Sequence, residues 1–118
     1  NLRMIATTLR ENISASHNNW GAMLLDIGSD SVYLAPEQNG GYRPYEIRSI
    51  VDRVGGGDAF DAGLLFGLTH SDFSLQTALE FATAASCLSH SVVGDCNFAS
   101  RHEIEDLMAG ARSGRVVR

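Results

Sequence analysis

The sequence predicts an α/β fold in which strands fill the first half of the chain and three helices fill the second. Up to about residue 54, β-branched and apolar residues occur in short runs separated by turn residues. Beyond the glycines at 55–57, apolar residues recur at helical spacing. Of the 118 residues 44% are hydrophobic and 19% are charged, which is typical of one globular domain.

Four strands are predicted from these runs: residues 4–9, 20–27, 31–35 and 45–54. The sequence GSD between the second and third has the turn chemistry of a hairpin. The polar residues 10–19 and the stretch PEQNGGYRP, residues 36–44, are predicted as loops.

Helix starts are marked by glycine in one case and by capping residues in the other two. The first helix is predicted to begin near Asp58. The second lies within residues 71–91, with Ser74 as its N-cap. The third lies within residues 100–112, where Ser100 and Glu103 form a capping box.

Charge and cysteine content exclude several classes of protein. The formal net charge is −5 and there is no basic run, so no nucleic-acid partner is expected. No stretch approaches the roughly 18 apolar residues of a membrane helix. Cys87 and Cys96 lie neither in a CxxC pair nor near a histidine at metal-ligand spacing, which favours reduced thiols in a cytoplasmic protein. A single disulfide stays open as an alternative.

The stretch VDRVGGGDAFDAG, residues 51–63, places Gly55, Gly56 and Gly57 directly before Asp58. A glycine-rich turn at a helix start leaves backbone N–H groups unpaired in a mildly positive field, for which phosphate is the usual guest. An aspartate beside such a site is best explained as a general base that takes a proton from a hydroxyl attacking phosphorus. This predicts phosphoryl transfer, without the P-loop or GxGxxG pattern. The alternative is a tight turn in which Asp58 merely caps the helix.

The longer stretch VDRVGGGDAFDAGLLFGL resembles the signature of the ribokinase-like (pfkB) carbohydrate kinases, D-x-x-G-A-G-D-x-F followed by small residues. TTLRENISASHNNW upstream and HSVVGDCNF downstream make the chain most similar to the 2-keto-3-deoxygluconate kinases of that family. The resemblance extends over nearly the whole chain. It implies a ribokinase-like fold, with a central sheet flanked by helices, and ATP-dependent phosphorylation of the terminal hydroxyl of the sugar acid.

Two other functions stay open beside this one. Another pfkB sugar or nucleoside kinase would differ only in its acceptor. A non-catalytic, self-associating fragment that binds a nucleotide or another anion would leave the same glycine turn without chemistry.

The resemblance also implies roles for individual residues. Asp58 matches the catalytic base that contacts the sugar hydroxyl. The glycines at 55–57, with the Asp58 N–H, match the anion hole. Gly55 and Gly57 also match residues that contact the nucleotide. Asp95, in VGDCN, matches an acidic position that contacts the sugar acid, with an ordinary Gly-Asp turn as its alternative.

Nucleotide and cation contacts are implied on further elements. Thr8 and Arg10 match a strand end that lines the nucleotide, where the common pattern T-x-G has glycine in place of Arg10. Thr83 lies where relatives touch adenine, with plain helix packing as the alternative. Asp52 matches an acid that helps to hold a monovalent cation, with a solvated or arginine-paired acid as the alternative. Mg²⁺ is expected to arrive with ATP.

Kinases of this family are far longer than this chain. In them the lid, most sugar contacts and the acidic residues associated with the magnesium–nucleotide complex belong to the N-terminal part. The chain, which starts at Asn1, is therefore expected to be the C-terminal part of a longer kinase and to be inactive or nearly so by itself. Its expected macromolecular partner is the N-terminal part or a second copy.

Overall fold

The strands precede the helices along the chain, as predicted. The computed structural model describes residues 1–48, 50, 55–90 and 100–113. The strands are β1 (Met4–Asn12), β2 (Asn18–Asp26), β3 (Ser31–Ala35), β4 (Glu37–Gln38), β5 (Gly41–Tyr42) and β6 (Tyr45–Ile47). The helices are α1 (Gly56–Leu68), α2 (Leu75–Ser89) and α3 (Arg101–Ser113).

β2 is the central strand of a four-stranded antiparallel sheet. β1 pairs with the whole of β2 on one side, while β3 and β6 pair with its two halves on the other. Trp20, Ala22 and Leu24 alternate along β2 onto one face and are 0–5% exposed. This face lies under α2, and it carries the core of the domain.

Two predicted loops contain strands. The prediction of a loop over residues 10–19 was wrong at both ends, because β1 runs to Asn12 and β2 starts at Asn18. Polar residues suit these ends since they pair across the strands: Asn19 Nδ2 donates to Glu11 Oε1 over 2.7 Å. The second predicted loop holds the hairpin of β4 and β5, which turns through Asn39 and Gly40 at φ 54° and 78°.

The predicted fourth strand is described only in part. β6 covers Tyr45–Ile47, and residues 49 and 51–54 lie outside the described residues. Tyr45 is 1% exposed and packs with Trp20 in the core. β6 therefore pairs the segment that precedes the glycine turn with the start of β2.

The capping predictions for the second and third helices are confirmed. Ser74 Oγ accepts a hydrogen bond from the Thr77 N–H over 3.1 Å at the start of α2. At the start of α3, Ser100 N donates to Glu103 Oε1 over 3.1 Å and Glu103 N donates to Ser100 Oγ over 3.2 Å.

α1 and α2 pack closely because glycines on α1 face alanines on α2. A Cβ at Gly63 would lie 2.9 Å from the Cα of Ala82, and one at Gly67 would lie 2.7 Å from the Cβ of Ala78. The four-residue spacing of Phe60, Leu64 and Leu68 predicts a buried stripe on α1, which is only partly buried: Phe60 is 3% exposed and Leu68 is 36% exposed. None of the described helices has the length and apolar character to cross a bilayer.

Candidate functional site

The start of α1 is the most distinctive helix start in the described part of the chain. Gly55 stands at its N-cap with φ 88°, a left-handed conformation that glycine adopts at little cost, and no side chain caps the helix. The first intrahelical bond runs from the Ala59 N–H to the Gly55 carbonyl over 2.8 Å. The N–H groups of Gly56, Gly57 and Asp58 precede that bond and have no carbonyl of the helix to bind.

The three glycines have different surroundings. Gly55 supplies the left-handed turn. Gly56 is buried, and a Cβ there would lie 3.3 Å from Cε1 of His90. Gly57 is exposed, and a Cβ there would meet no atom of the described residues within 4 Å. Space for an anion therefore lies at Gly57 rather than at Gly56.

Asp58 is exposed in the first turn of α1. Its carboxylate belongs to the same helix start as the N–H groups that the turn leaves without an intrahelical partner. The arrangement can hold a phosphoryl group against backbone donors while a carboxylate receives a proton from a hydroxyl beside it.

His90 lies next to Gly56 at this helix start, and it was not predicted as a site residue. The ring is 2% exposed, its Nδ1 lies 2.8 Å from the carbonyl oxygen of Ser86, and its centroid is 4.7 Å from that of Trp20. No local pattern could have identified His90, because its contact with Gly56 joins two helices that are distant in sequence.

Arg10 lies on the side of the sheet that faces the helices. In the β1–β2 register it stands opposite Trp20, and Thr8 stands opposite Ala22. Side chains at directly opposite positions share a face. Arg10 is thus the cross-strand neighbour of Trp20, whose ring centroid lies 4.7 Å from that of His90.

A cleft of about 400 Å³ is lined by Thr8, Leu9, Arg10, Glu11, Asn19, Tyr42 and Pro44. The Tyr42 side chain lies over Gly21 of β2. Because successive residues of a strand alternate between the two faces of the sheet, Gly21, next to Trp20, belongs to the face away from the helices. Burial raises the pKa of the Tyr42 hydroxyl above its usual value, and the nearby Glu11 carboxylate raises it further. Tyr42 therefore lines the cleft from the face away from the helices, while Thr8 and Arg10 in the same lining stand opposite helix-facing residues of β2.

The remaining predicted site residues are not gathered at the start of α1. Thr83 is fully buried, and its hydroxyl donates to the Leu79 carbonyl over 2.7 Å, so in this structure it offers no surface to a nucleotide. Asp52 and Asp95 lie outside the described residues. The described residues hold no group of three or more His, Cys, Asp or Glu side chains that could bind a metal ion.

Similarity to known proteins agrees with this geometry. An uncharacterized sugar kinase from Dictyostelium discoideum is 46% identical over 48 residues, which are 41% of this chain and 14% of that protein. The structure of 2-dehydro-3-deoxygluconokinase from Thermotoga maritima is 42% identical with a TM-score of 0.78, covering 93% of this chain. A PfkB family carbohydrate kinase from Listeria grayi is 36% identical with a TM-score of 0.79, covering 92% of this chain.

The chain spans 30% and 31% of the length of these two solved chains. The expected ribokinase-like α/β fold is thus confirmed for the segment that this chain represents. Residues 14–102, which include the glycine turn and Asp58, match the pfkB family carbohydrate kinase description. The chain belongs to the pfkB family of carbohydrate kinases.

Proposed function

We propose that this chain is the C-terminal part of a cytoplasmic kinase that transfers the γ-phosphate of ATP to the terminal hydroxyl of 2-keto-3-deoxygluconate. The observation that carries the proposal is the open helix start at Gly57 beside the exposed carboxylate of Asp58. The acceptor is supported by the 42% identity to the Thermotoga maritima enzyme, which is a 2-dehydro-3-deoxygluconokinase.

In this reaction Asp58 acts as the general base. One oxygen of its carboxylate accepts the proton of the sugar hydroxyl while that hydroxyl oxygen attacks the γ-phosphorus. The bond from the γ-phosphorus to the bridging oxygen of ADP breaks, and the phosphorylated sugar acid and ADP leave. The N–H groups of Gly55, Gly56, Gly57 and Asp58 form the anion hole that stabilises the negative charge on the transferring group.

The other contacts in the proposal concern the nucleotide and its ions. Arg10 and Thr8 border the nucleotide from the helix-facing side of β1. Mg²⁺ bound to ATP would neutralise charge on the phosphates, and its protein ligands belong to the N-terminal part. Asp52 is proposed as a ligand of a monovalent cation and Asp95 as a contact to the sugar acid.

The acceptor is tested by assaying the full-length kinase that contains this chain. Purified protein is given ATP with 2-keto-3-deoxygluconate, other sugars or nucleosides, and ADP release is followed. We expect the highest kcat/KM with the keto sugar acid and phosphorylation at its terminal hydroxyl. A preference for another sugar or a nucleoside would assign the chain to another acceptor class of the same family.

The base is tested by the substitution Asp58→Asn in the same protein. We expect kcat to fall by about 100-fold or more, because the amide cannot take the hydroxyl proton. Asp61→Asn is the matched control, since Asp61 is also exposed on α1, one turn further on. Turnover that survives Asp58→Asn with little loss would show that Asp58 only caps the helix.

A non-catalytic, self-associating fragment is the second candidate, and exposed apolar residues favour it for the isolated chain. Ile5 is 45% exposed and Val32 is 60% exposed, and both stand opposite Leu25 of β2 in the sheet. Burial against an N-terminal part or a second copy would remove this surface from water. Light-scattering mass and an ATP titration of the isolated chain distinguish the two: an oligomer that binds ATP without turnover supports the second candidate.

A further inference from the structure

Among the described residues, Gly56 has a close neighbour and Gly57 has none. A Cβ at Gly56 would lie 3.3 Å from Cε1 of His90, 3.7 Å from its Nε2 and 3.8 Å from Oγ of Ser89. The shortest of these distances is tighter than ordinary van der Waals contact, so a methyl group would force the ring or the helix start to move. The ring edge of His90 thus leaves less than ordinary contact distance for a side chain at Gly56.

The His90 ring has little freedom to move. Since a carbonyl oxygen only accepts, Nδ1 carries the proton and donates to the Ser86 carbonyl over 2.8 Å. The ring also meets Trp20 edge-on, with interplanar angle 64°. Trp20 is itself fixed, because its Nε1 donates to Oγ of Ser86 over 2.7 Å. The same turn of α2 therefore anchors both rings.

These contacts connect the sheet to the start of α1. Trp20 lies on the central strand β2, His90 stands at the C-cap of α2, and Gly56 is the first residue of α1. All three are buried. A displacement of the His90 ring would therefore be transmitted to the backbone N–H groups at residues 56–58.

We infer that His90 is a positioning residue for the phosphate site, acting as a spacer that sets the distance between β2 and the start of α1. This inference rests on the proposed function. It also divides the roles of the glycines: Gly56 lacks a side chain because the His90 ring leaves less than ordinary contact distance for one, whereas Gly57 lacks one because the transferring phosphoryl group needs the space.

The consequence for catalysis is specific. Displacement of donors by a fraction of an ångström weakens the stabilisation of the transition state far more than the binding of substrates. Loss of the spacer is therefore expected to lower kcat and to leave the KM values for ATP and the sugar acid nearly unchanged. A residue that served stability alone would change the unfolding midpoint and not this ratio.

The test uses the full-length kinase with Gly56→Ala, His90→Asn and the double variant. His90→Asn keeps an N–H donor near the position of Nδ1 for the Ser86 carbonyl and removes the ring edge that contacts Gly56. His70→Asn is the matched control, because its Nδ1 also lies near a helix carbonyl, that of Phe66 at 3.1 Å, at the opposite end of α1. Measured quantities are kcat, both KM values and the midpoint of thermal unfolding.

We expect each single variant at Gly56 and His90 to lower kcat by about 10-fold, with KM values within about two-fold. The double variant should lose much less than the product of the two single losses, since the new methyl then fills the space the ring has left. His70→Asn should leave kcat within about two-fold.

Two outcomes would overturn the role of His90. One is that the losses of kcat at Gly56 and His90 multiply in the double variant, and the other is that His90→Asn is as harmless as His70→Asn. A wild-type protein that transfers no phosphate would instead contradict the proposed function. If a His90 variant lowers only the unfolding midpoint, His90 has a structural role alone and the inference fails.

Discussion

α1 and α2 begin in opposite ways. At the start of α2, Ser74 has a side chain that accepts the hydrogen bond of Thr77, so one backbone donor of that helix start has a partner in the chain itself. At the start of α1, Gly55 has no side chain to do so and turns through a left-handed conformation. A capped helix start therefore contributes stability, whereas an uncapped start leaves backbone N–H donors that can bind a ligand.

The largest effect is expected for Gly55→Ala, because this position affects both the conformation of the turn and the direction of its donors. An alanine at φ 88° is expected to lower the free energy of unfolding by about 1–2 kcal/mol. Misdirected donors are expected to lower kcat by about 100-fold. Urea unfolding and steady-state kinetics of the full-length kinase measure the two effects.

Gly40→Ala is the matched control for this prediction. Gly40 also has a left-handed φ, 78°, and a Cβ there would meet nothing within 4 Å. It should lose similar stability and keep its kcat. Equal losses of kcat at the two glycines would mean that the start of α1 is no more than a strained turn.

A smaller effect is expected at the capped start of α2. Ser74→Ala removes the acceptor of the Thr77 N–H and should lower the free energy of unfolding by about 1 kcal/mol, with kcat unchanged. Ser74→Asp, which retains an acceptor at the N-cap, should restore most of that stability. A large loss of kcat in Ser74→Ala would contradict the division between structural and functional helix starts.

The smallest effect is expected at the start of α3. Glu103→Gln keeps an oxygen that can accept from the Ser100 N–H but removes the negative charge in the first turn. The free energy of unfolding should fall by about 0.3–1 kcal/mol at low salt. The difference should shrink in high salt, because exposed charges are screened there. A salt-independent loss would point to hydrogen-bond geometry rather than to the helix dipole.

The sequence was informative where local chemistry determines local structure. The two capped helix starts and the hairpin of β2 and β3 follow from Ser74, Ser100 and the GSD turn, and all are present in the structure. The pfkB signature likewise identified the family. Strand ends were less predictable, because Glu11 and Asn19 are polar residues whose pairing depends on the partner strand.

The sequence pointed to the glycine turn as a candidate site, and not to the different surroundings of its glycines. GGGD indicated an anion site, yet sequence could not show that the space beside Gly56 is filled by a ring from α2 while that beside Gly57 is open. Thr83 illustrates the reverse case. The family resemblance implied a nucleotide contact for Thr83, with helix packing as the alternative, and the packing of α2 against α1, α3 and the sheet buries it completely.

The substitution Gly57→Ala tests most directly whether the start of α1 is kept open for the transferring phosphate. Gly57 lies in the first turn of α1, outside the left-handed region, and no atom of the described residues lies within reach of a Cβ there. We expect opposite changes in this one variant: the free energy of unfolding rises by about 0.4–1 kcal/mol, and kcat falls by about 10-fold or more. An alanine that stabilises the full-length kinase and leaves kcat unchanged would contradict this expectation.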